Sequence, residues 1–193
     1  AEFDLIGFAV GVAERDNLIT GARIERGDVL IGLPSRNLRS NGYSLARRVL
    51  LDRANLPLDG PAHQGAHHSL ADELLAPSVI FAPAIAALQR AVEVRRVAHI
   101  TGGGIPGNLN RVLPKGTAAE VERGTWYVPP IFTEIQRLGG VDAGEMDRVF
   151  NMGIGLALVV SSFYAESISA RLADLGLENW VLGDVAAGER GVF

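Results

Sequence analysis

His99-Ile100-Thr101-Gly102-Gly103-Gly104-Ile105-Pro106-Gly107-Asn108 decides how this chain of 193 residues is read. A largely apolar run from Val94 to Ile100 leads into three consecutive glycines, and an amphipathic pattern follows over Gly104–Val112. A strand that hands over to a helix start is the repeating transition of layered α/β domains. Three glycines bare their backbone N–H groups, and a helix start adds unpaired donors and the positive end of its dipole. Together they suit phosphate or another anion. The spacing is not G-x-G-x-x-G, and no Lys-Ser/Thr pair completes a P-loop. A tight turn without a ligand is the alternative reading of the glycines alone.

A second turn adds to the first. Ser35-Arg36-Asn37-Leu38-Arg39-Ser40-Asn41-Gly42-Tyr43-Ser44 follows the apolar run Val29–Leu33 and opens a helix expected over Tyr43–Arg53. Ser40 or Asn41 is a natural N-cap, and Leu45, Val49, Leu50 and Leu51 supply the buried stripe. Capping alone explains Ser40 but not Asn41, Gly42 and Arg39 together. A third cluster, Glu145 through Gly155, ends a short acidic helix at Asn151 and passes two glycines into the apolar run Leu156–Val160. Asn and Gly at such a helix-to-strand turn supply left-handed dihedrals, so a purely structural role is open there.

The order and wording of these segments resemble the C-terminal domain of the aminoimidazole ribonucleotide synthetase family. The matching pieces are Gly32-Leu33-Pro34-Ser35, Ser40 through Leu45, Leu74-Leu75-Ala76-Pro77, Ala98 through Gly104, Asn108 and Arg111-Val112-Leu113-Pro114. They continue with Pro130-Ile131-Phe132 and with Glu145-Met146 through Phe150-Asn151-Met152-Gly153-Ile154-Gly155. Asp4 through Phe8 and Gly183-Asp184-Val185 fit as well, so the resemblance covers essentially the whole chain. The Glu-Met…Phe-Asn-Met-Gly-Ile-Gly stretch is its most specific part.

The resemblance implies a three-layer α/β/α domain, forming the C-terminal, substrate-side half of an ATP-dependent cyclo-ligase of purine biosynthesis. Formylglycinamidine ribonucleotide is the implied substrate and aminoimidazole ribonucleotide the product. ATP and Mg2+ are expected mainly on an N-terminal domain that nothing here matches, and that domain is expected to build a homodimer. Residues 1–193 then read as one domain, with 1–14 containing the inter-domain connection. Alone, this half is expected to be inactive and at most weakly associated. The implied site has His99 and Asn151 as catalytic groups. Ser40, Asn41, Gly42, Tyr43, Thr101, Gly102, Gly103, Gly104 and Asn108 are expected to bind substrate or phosphate. Three positions depart from the family: Asn37 stands for the usual glycine, Arg39 for histidine and Val149 for threonine. Another ATP-using synthetase or kinase of the same superfamily, or a non-catalytic domain that kept the fold, are the alternative functions.

Composition fits one domain with a core. The chain is 48% hydrophobic and has no cysteine, which excludes disulfides and thiolate chemistry and fits a cytoplasmic setting. A net charge of −4 argues against a nucleic-acid surface, and no apolar run approaches the ~20 residues a membrane helix needs. Strands are expected near Ile6–Ala13, Asp28–Leu33, Val94–Ile100, Thr117–Glu122, Gly155–Ser161 and Asn179–Ala186. Helices beyond Tyr43–Arg53 are expected near Leu70–Leu75, Val79–Val92, Gly104–Val112, Ile131–Leu138, Ala143–Val149 and Ala165–Leu175. Pro83 should kink the third helix or end its first turn. The alternation predicts a mixed sheet flanked by helices. His63, His67 and His68 lie in a Pro- and Gly-containing stretch, Asn55–Ser69, that argues against a helical metal pair and for a solvated loop; no metal site is expected.

Overall fold

The computed structural model describes residues 6–192. Asp4 and Leu5, which belong to the resemblance, and the first part of the expected inter-domain connection lie outside them.

Five strands, β1 (Val29–Pro34), β2 (Val94–His99), β3 (Thr117–Val121), β4 (Ile154–Val160) and β5 (Trp180–Ala187), form one sheet in the order β2-β4-β1-β5-β3. The helices are α1 (Tyr43–Arg47), continued by a π-helical stretch Arg48–Arg53, α2 (Leu70–Leu75), α3 (Ala82–Gln89), α4 (Gly104–Val112), α5 (Pro130–Gly139), α6 (Ala143–Val149) and α7 (Ala165–Asp174). All four ladders are antiparallel, so the α/β class holds while the expected mixed sheet becomes an antiparallel one. Alternation of helices and strands does not fix pairing direction, because a helical crossover can return the chain to either side of a neighbour.

β4, between β2 and β1, shows why the sheet takes two helical layers. All seven of its residues, Ile154-Gly155-Leu156-Ala157-Leu158-Val159-Val160, are buried, the pattern of a strand covered on both faces. Ile154, Ala157 and Val159 pack with Leu30, Leu182 and the α4 side chains Ile105 and Leu109. Leu156, Leu158 and Val160 pack with Ile31, Leu33, Leu88 of α3 and Ile168 and Leu172 of α7. Each Val, Leu and Ile side chain among these contributes about 1.5–3 kcal/mol on leaving water. A third cluster, with Leu50, Leu70, Phe132, Ile135, Met146 and Phe150, joins α1, α2, α5 and α6 beyond one end of the sheet.

Two expectations change. Ile6–Ala13 forms no strand, although Ile6, Phe8, Val10 and Val12 alternate as one does; they are 94%, 91%, 83% and 101% exposed. A period of two marks a face to be buried, but a strand also needs a neighbour to accept its hydrogen bonds. The third helix begins at Ala82 rather than Val79, with Pro83 in its first turn, where its missing N–H is not needed.

Candidate anion and substrate site at one end of the sheet

β1 and β2 both run antiparallel to β4, so they point the same way and their C-terminal ends leave the same end of the sheet. The register makes this specific: Leu33 of β1 and His99 of β2 both pair with Leu156. The turns that follow them, and Asn151–Gly153 leading into β4, are thereby gathered at one place. All three sequence clusters meet there.

The glycine turn is tightly built. Gly103 caps α4 at φ +100, a conformation L side chains rarely adopt. Gly104 N–H donates to Thr101 O at 3.0 Å, and Pro106 carries no N–H. Among the described residues this leaves Thr101, Gly102, Gly103 and Ile105 as the free donors of the turn. Gly104 itself is buried against the backbone of α6: a Cβ there would collide with Asp147 O and lie 2.8 Å from Phe150 O. Its role in this structure is close packing. Asn108, 5% exposed, ties the turn to its helix; Nδ2 donates to Gly104 O at 2.7 Å and to Thr101 O at 3.2 Å, while Oδ1 accepts from Thr101 Oγ1 at 3.3 Å.

The second turn lies against the first. A Cβ on Gly102 would sit 3.4 Å from Asn41 Oδ1. Gly42, at φ +79, caps α1 in place of Ser40 or Asn41, and it leans on Phe150 with no room for a Cβ. No side chain caps α1, so the N–H groups of Tyr43, Ser44 and Leu45 have no acceptor among the described residues. Ser40 and Gly102 are exposed, and Asn41 and Thr101 half-buried. The Tyr43 hydroxyl donates to Leu74 O at 2.5 Å, and burial pushes its pKa up. Two helix starts thus offer their unpaired donors side by side, an arrangement that attracts an anion.

Asn151 braces the assembly from behind. It is 4% exposed; Nδ2 donates to Asn37 O at 2.9 Å and Oδ1 accepts Gly153 N–H at 2.8 Å. Left-handed dihedrals fall instead on Met152 (φ +48) and Gly153 (φ +101). Asn37 is anchored too, with Nδ2 on Ala76 O at 2.7 Å and Oδ1 accepting Arg39 N–H at 3.1 Å.

Two cations stand at the site that the sequence named but did not place among the site residues. Arg111 reaches back along α4, bonding Asn108 Oδ1 at 3.2 Å, and its Nη2 lies 3.8 Å from where a Cβ of Gly103 would be. The i, i+3 spacing from Asn108 was the available signal. Arg39, at φ +61, turns inward: Nη1 donates to Gly155 O at 2.8 Å and Ile100 O at 3.3 Å, and Nη2 meets Nε2 of His99. His99 is exposed as a residue, yet partial desolvation of its ring first, and the Arg39 charge second, lower its pKa from 6.5.

The histidine stretch is a loop without helix or strand, with His67 and His68 exposed as expected, and it is pinned at several points. Pro61 and Ser69 form a bridge, His68 Nε2 lies 2.6 Å from Glu73 Oε2, and His63 and His68 line a cavity of about 400 Å³ with Arg36, Tyr127, Glu178 and Trp180. No three His, Asp or Glu side chains gather to hold a metal among the described residues.

The model of the family described as AIR synthase related protein, C-terminal domain, matches residues 25–193. The chain belongs to this family. It is 45% identical over 192 residues to a phosphoribosylformylglycinamidine cyclo-ligase of Symbiobacterium thermophilum, covering 98% of this chain and 54% of that protein. A Myxococcus xanthus protein of the same name is 49% identical over 188 residues, covering 97% and 54%. The chain therefore spans about half the length of these family relatives. Thiamine-monophosphate kinase from Stenotrophomonas maltophilia shares the fold at a TM-score of 0.60 and 15% identity, covering 93% of this chain and 54% of the kinase. The hydrogenase maturation protein HypE, solved in complex with ATP, does so at 0.53 and 17%, covering 86% and 44%.

Proposed function

We propose that the chain is the C-terminal, substrate-side half of a cytoplasmic phosphoribosylformylglycinamidine cyclo-ligase, which closes formylglycinamidine ribonucleotide to aminoimidazole ribonucleotide with ATP. The observation that carries this is the 45–49% identity to proteins of that name over 97–98% of the chain. The converging turns supply its physical content. The free N–H groups of Gly102, Gly103, Ile105, Tyr43, Ser44 and Leu45, with Arg111 beside them, hold the ribose 5′-phosphate. That grip fixes the rest of the substrate, and fixed geometry is worth several kcal/mol in a ring closure.

ATP supplies the phosphoryl group that turns the formyl oxygen into a leaving group. On this reading ATP and Mg2+ are held mainly by an N-terminal half, which also forms the homodimer. Within this half, His99 reaches the substrate as a neutral polar group. Asn108 and Asn151 keep the two turns in register as positioning residues, since their amides are taken by the backbone.

Co-purified with the N-terminal half of the Myxococcus xanthus relative, the chain should release ADP only when formylglycinamidine ribonucleotide is present. ADP release by the 193-residue chain alone, dependent on that substrate, would overturn the division of labour.

A further inference from the structure

Arg39 brings a fixed cation onto an imidazole. Its Nη1 is held by Gly155 O and Ile100 O at 2.8 and 3.3 Å, its Cζ lies 5.8 Å from the centroid of the Phe81 ring, and Nη2 contacts His99 Nε2. A guanidinium donates and has no lone pair with which to accept. Nε2 of His99 is therefore the acceptor, and a neutral imidazole that accepts at one nitrogen carries its proton on the other.

We propose that Arg39 is a positioning residue that fixes His99 as the neutral tautomer with its proton on Nδ1, so that the ring meets a ligand as a donor through Nδ1–H. Protonated His99 would set N–H against N–H between two cations. No carboxylate lies within ion-pairing distance of the ring among the described residues, so Arg39 is the charge that the ring faces. The backbone points the same way. A non-glycine residue at φ +61 costs about 1–2 kcal/mol, and Arg39 is kept there by contacts to β2 and β4, the strands that carry and adjoin His99. What Nδ1–H donates to rests on the ribose-phosphate reading of the turns; the tautomer does not.

The test is two-bond 1H–15N correlation of the ligand-free chain labelled with 15N-histidine, with His99 assigned by the signal lost in His99→Gln. The expected spectrum at pH 7.5 shows His99 protonated at Nδ1 and bare at Nε2. Arg39→Gly removes the guanidinium and relieves the left-handed strain, so the fold is kept. It should release the ring into exchange between both tautomers and move its titration to higher pH. Arg39→Lys, which keeps a cationic donor, should retain part of the Nδ1–H signature. A proton on Nε2 in the unaltered chain, or a pattern unchanged by Arg39→Gly, would overturn the proposal. The unaltered chain decides by itself if a variant does not fold. Failure of ribose 5-phosphate to bind would contradict the proposed function and leave this result standing.

Discussion

Gly104 and Gly107 lie three residues apart in α4 and answer to opposite demands. At Gly104, φ is +60 and a Cβ would collide with the Asp147 carbonyl, backbone that cannot step aside. At Gly107 the dihedral is ordinary and nothing lies within 4 Å of the added carbon. Gly104→Ala should therefore cost about 3 kcal/mol or more, whereas Gly107→Ala should stabilise by about 0.5–1 kcal/mol through helix propensity. Urea denaturation of the two variants checks both signs. Gly102→Ala separates binding from folding, because no left-handed dihedral or clash attends it. Ala keeps the N–H but sets a methyl between the two turns beside Asn41, so it should leave stability nearly unchanged and weaken ribose 5-phosphate about tenfold, equivalent to about 1.4 kcal/mol. His99 gives a pH dependence. Its folded pKa lies below 6.5, so as pH falls through 6.5 the unfolded chain takes up a proton that the folded one resists. Stability from this group is thus present above 6.5 and declines below it until the folded pKa is reached. His99→Gln should flatten that part of the stability–pH curve measured between pH 7.5 and 5.5.

At the scale of elements, what periodicity and punctuation can carry was legible. The expected Gly104–Val112, Leu70–Leu75 and Ala143–Val149 coincide with α4, α2 and α6, because each shows its apolar positions and its stop. The helix expected over Tyr43–Arg53 is present as α1 and its π-helical continuation. Its cap was misplaced, since nothing in Ser40-Asn41-Gly42 tells that Phe150, over a hundred residues away, closes on Gly42 and leaves it no side-chain room. The resemblance gave Asn151 a chemical role beside the structural one its turn left open; its bond to Gly153 N–H is a local turn, but its bond to Asn37 O is visible only once β1 and β4 are paired. Asn151→Ala removes both and strands buried partners at about 1–3 kcal/mol each. A loss of about 2–4 kcal/mol should follow, lowering Tm by roughly 5–15 °C in a thermal melt. A smaller change would mean that water replaces the amide.

At the scale of the molecule, the site follows from strand direction more than from any motif. Two strands antiparallel to β4 deliver two helix starts to one end of the sheet, and Leu33 and His99 reach it at the same level. The three clusters named the turns in advance, but not the inward course of Arg39 or the reach of Arg111, which depend on side-chain direction across the assembled sheet. The unpaired Ile6–Ala13 and the antiparallel ladders were hidden for a related reason: pairing is a property of neighbours, which one segment does not encode. On the proposed function both turns form one anion site. Ribose 5-phosphate titrated into the 15N-labelled chain should shift the backbone amides of Tyr43–Leu45 and of Gly102, Gly103 and Ile105 together, with a single affinity and with the His63, His68, Tyr127 and Trp180 signals at rest. Shifts confined to those four residues, or two turns titrating with separate affinities, would contradict it.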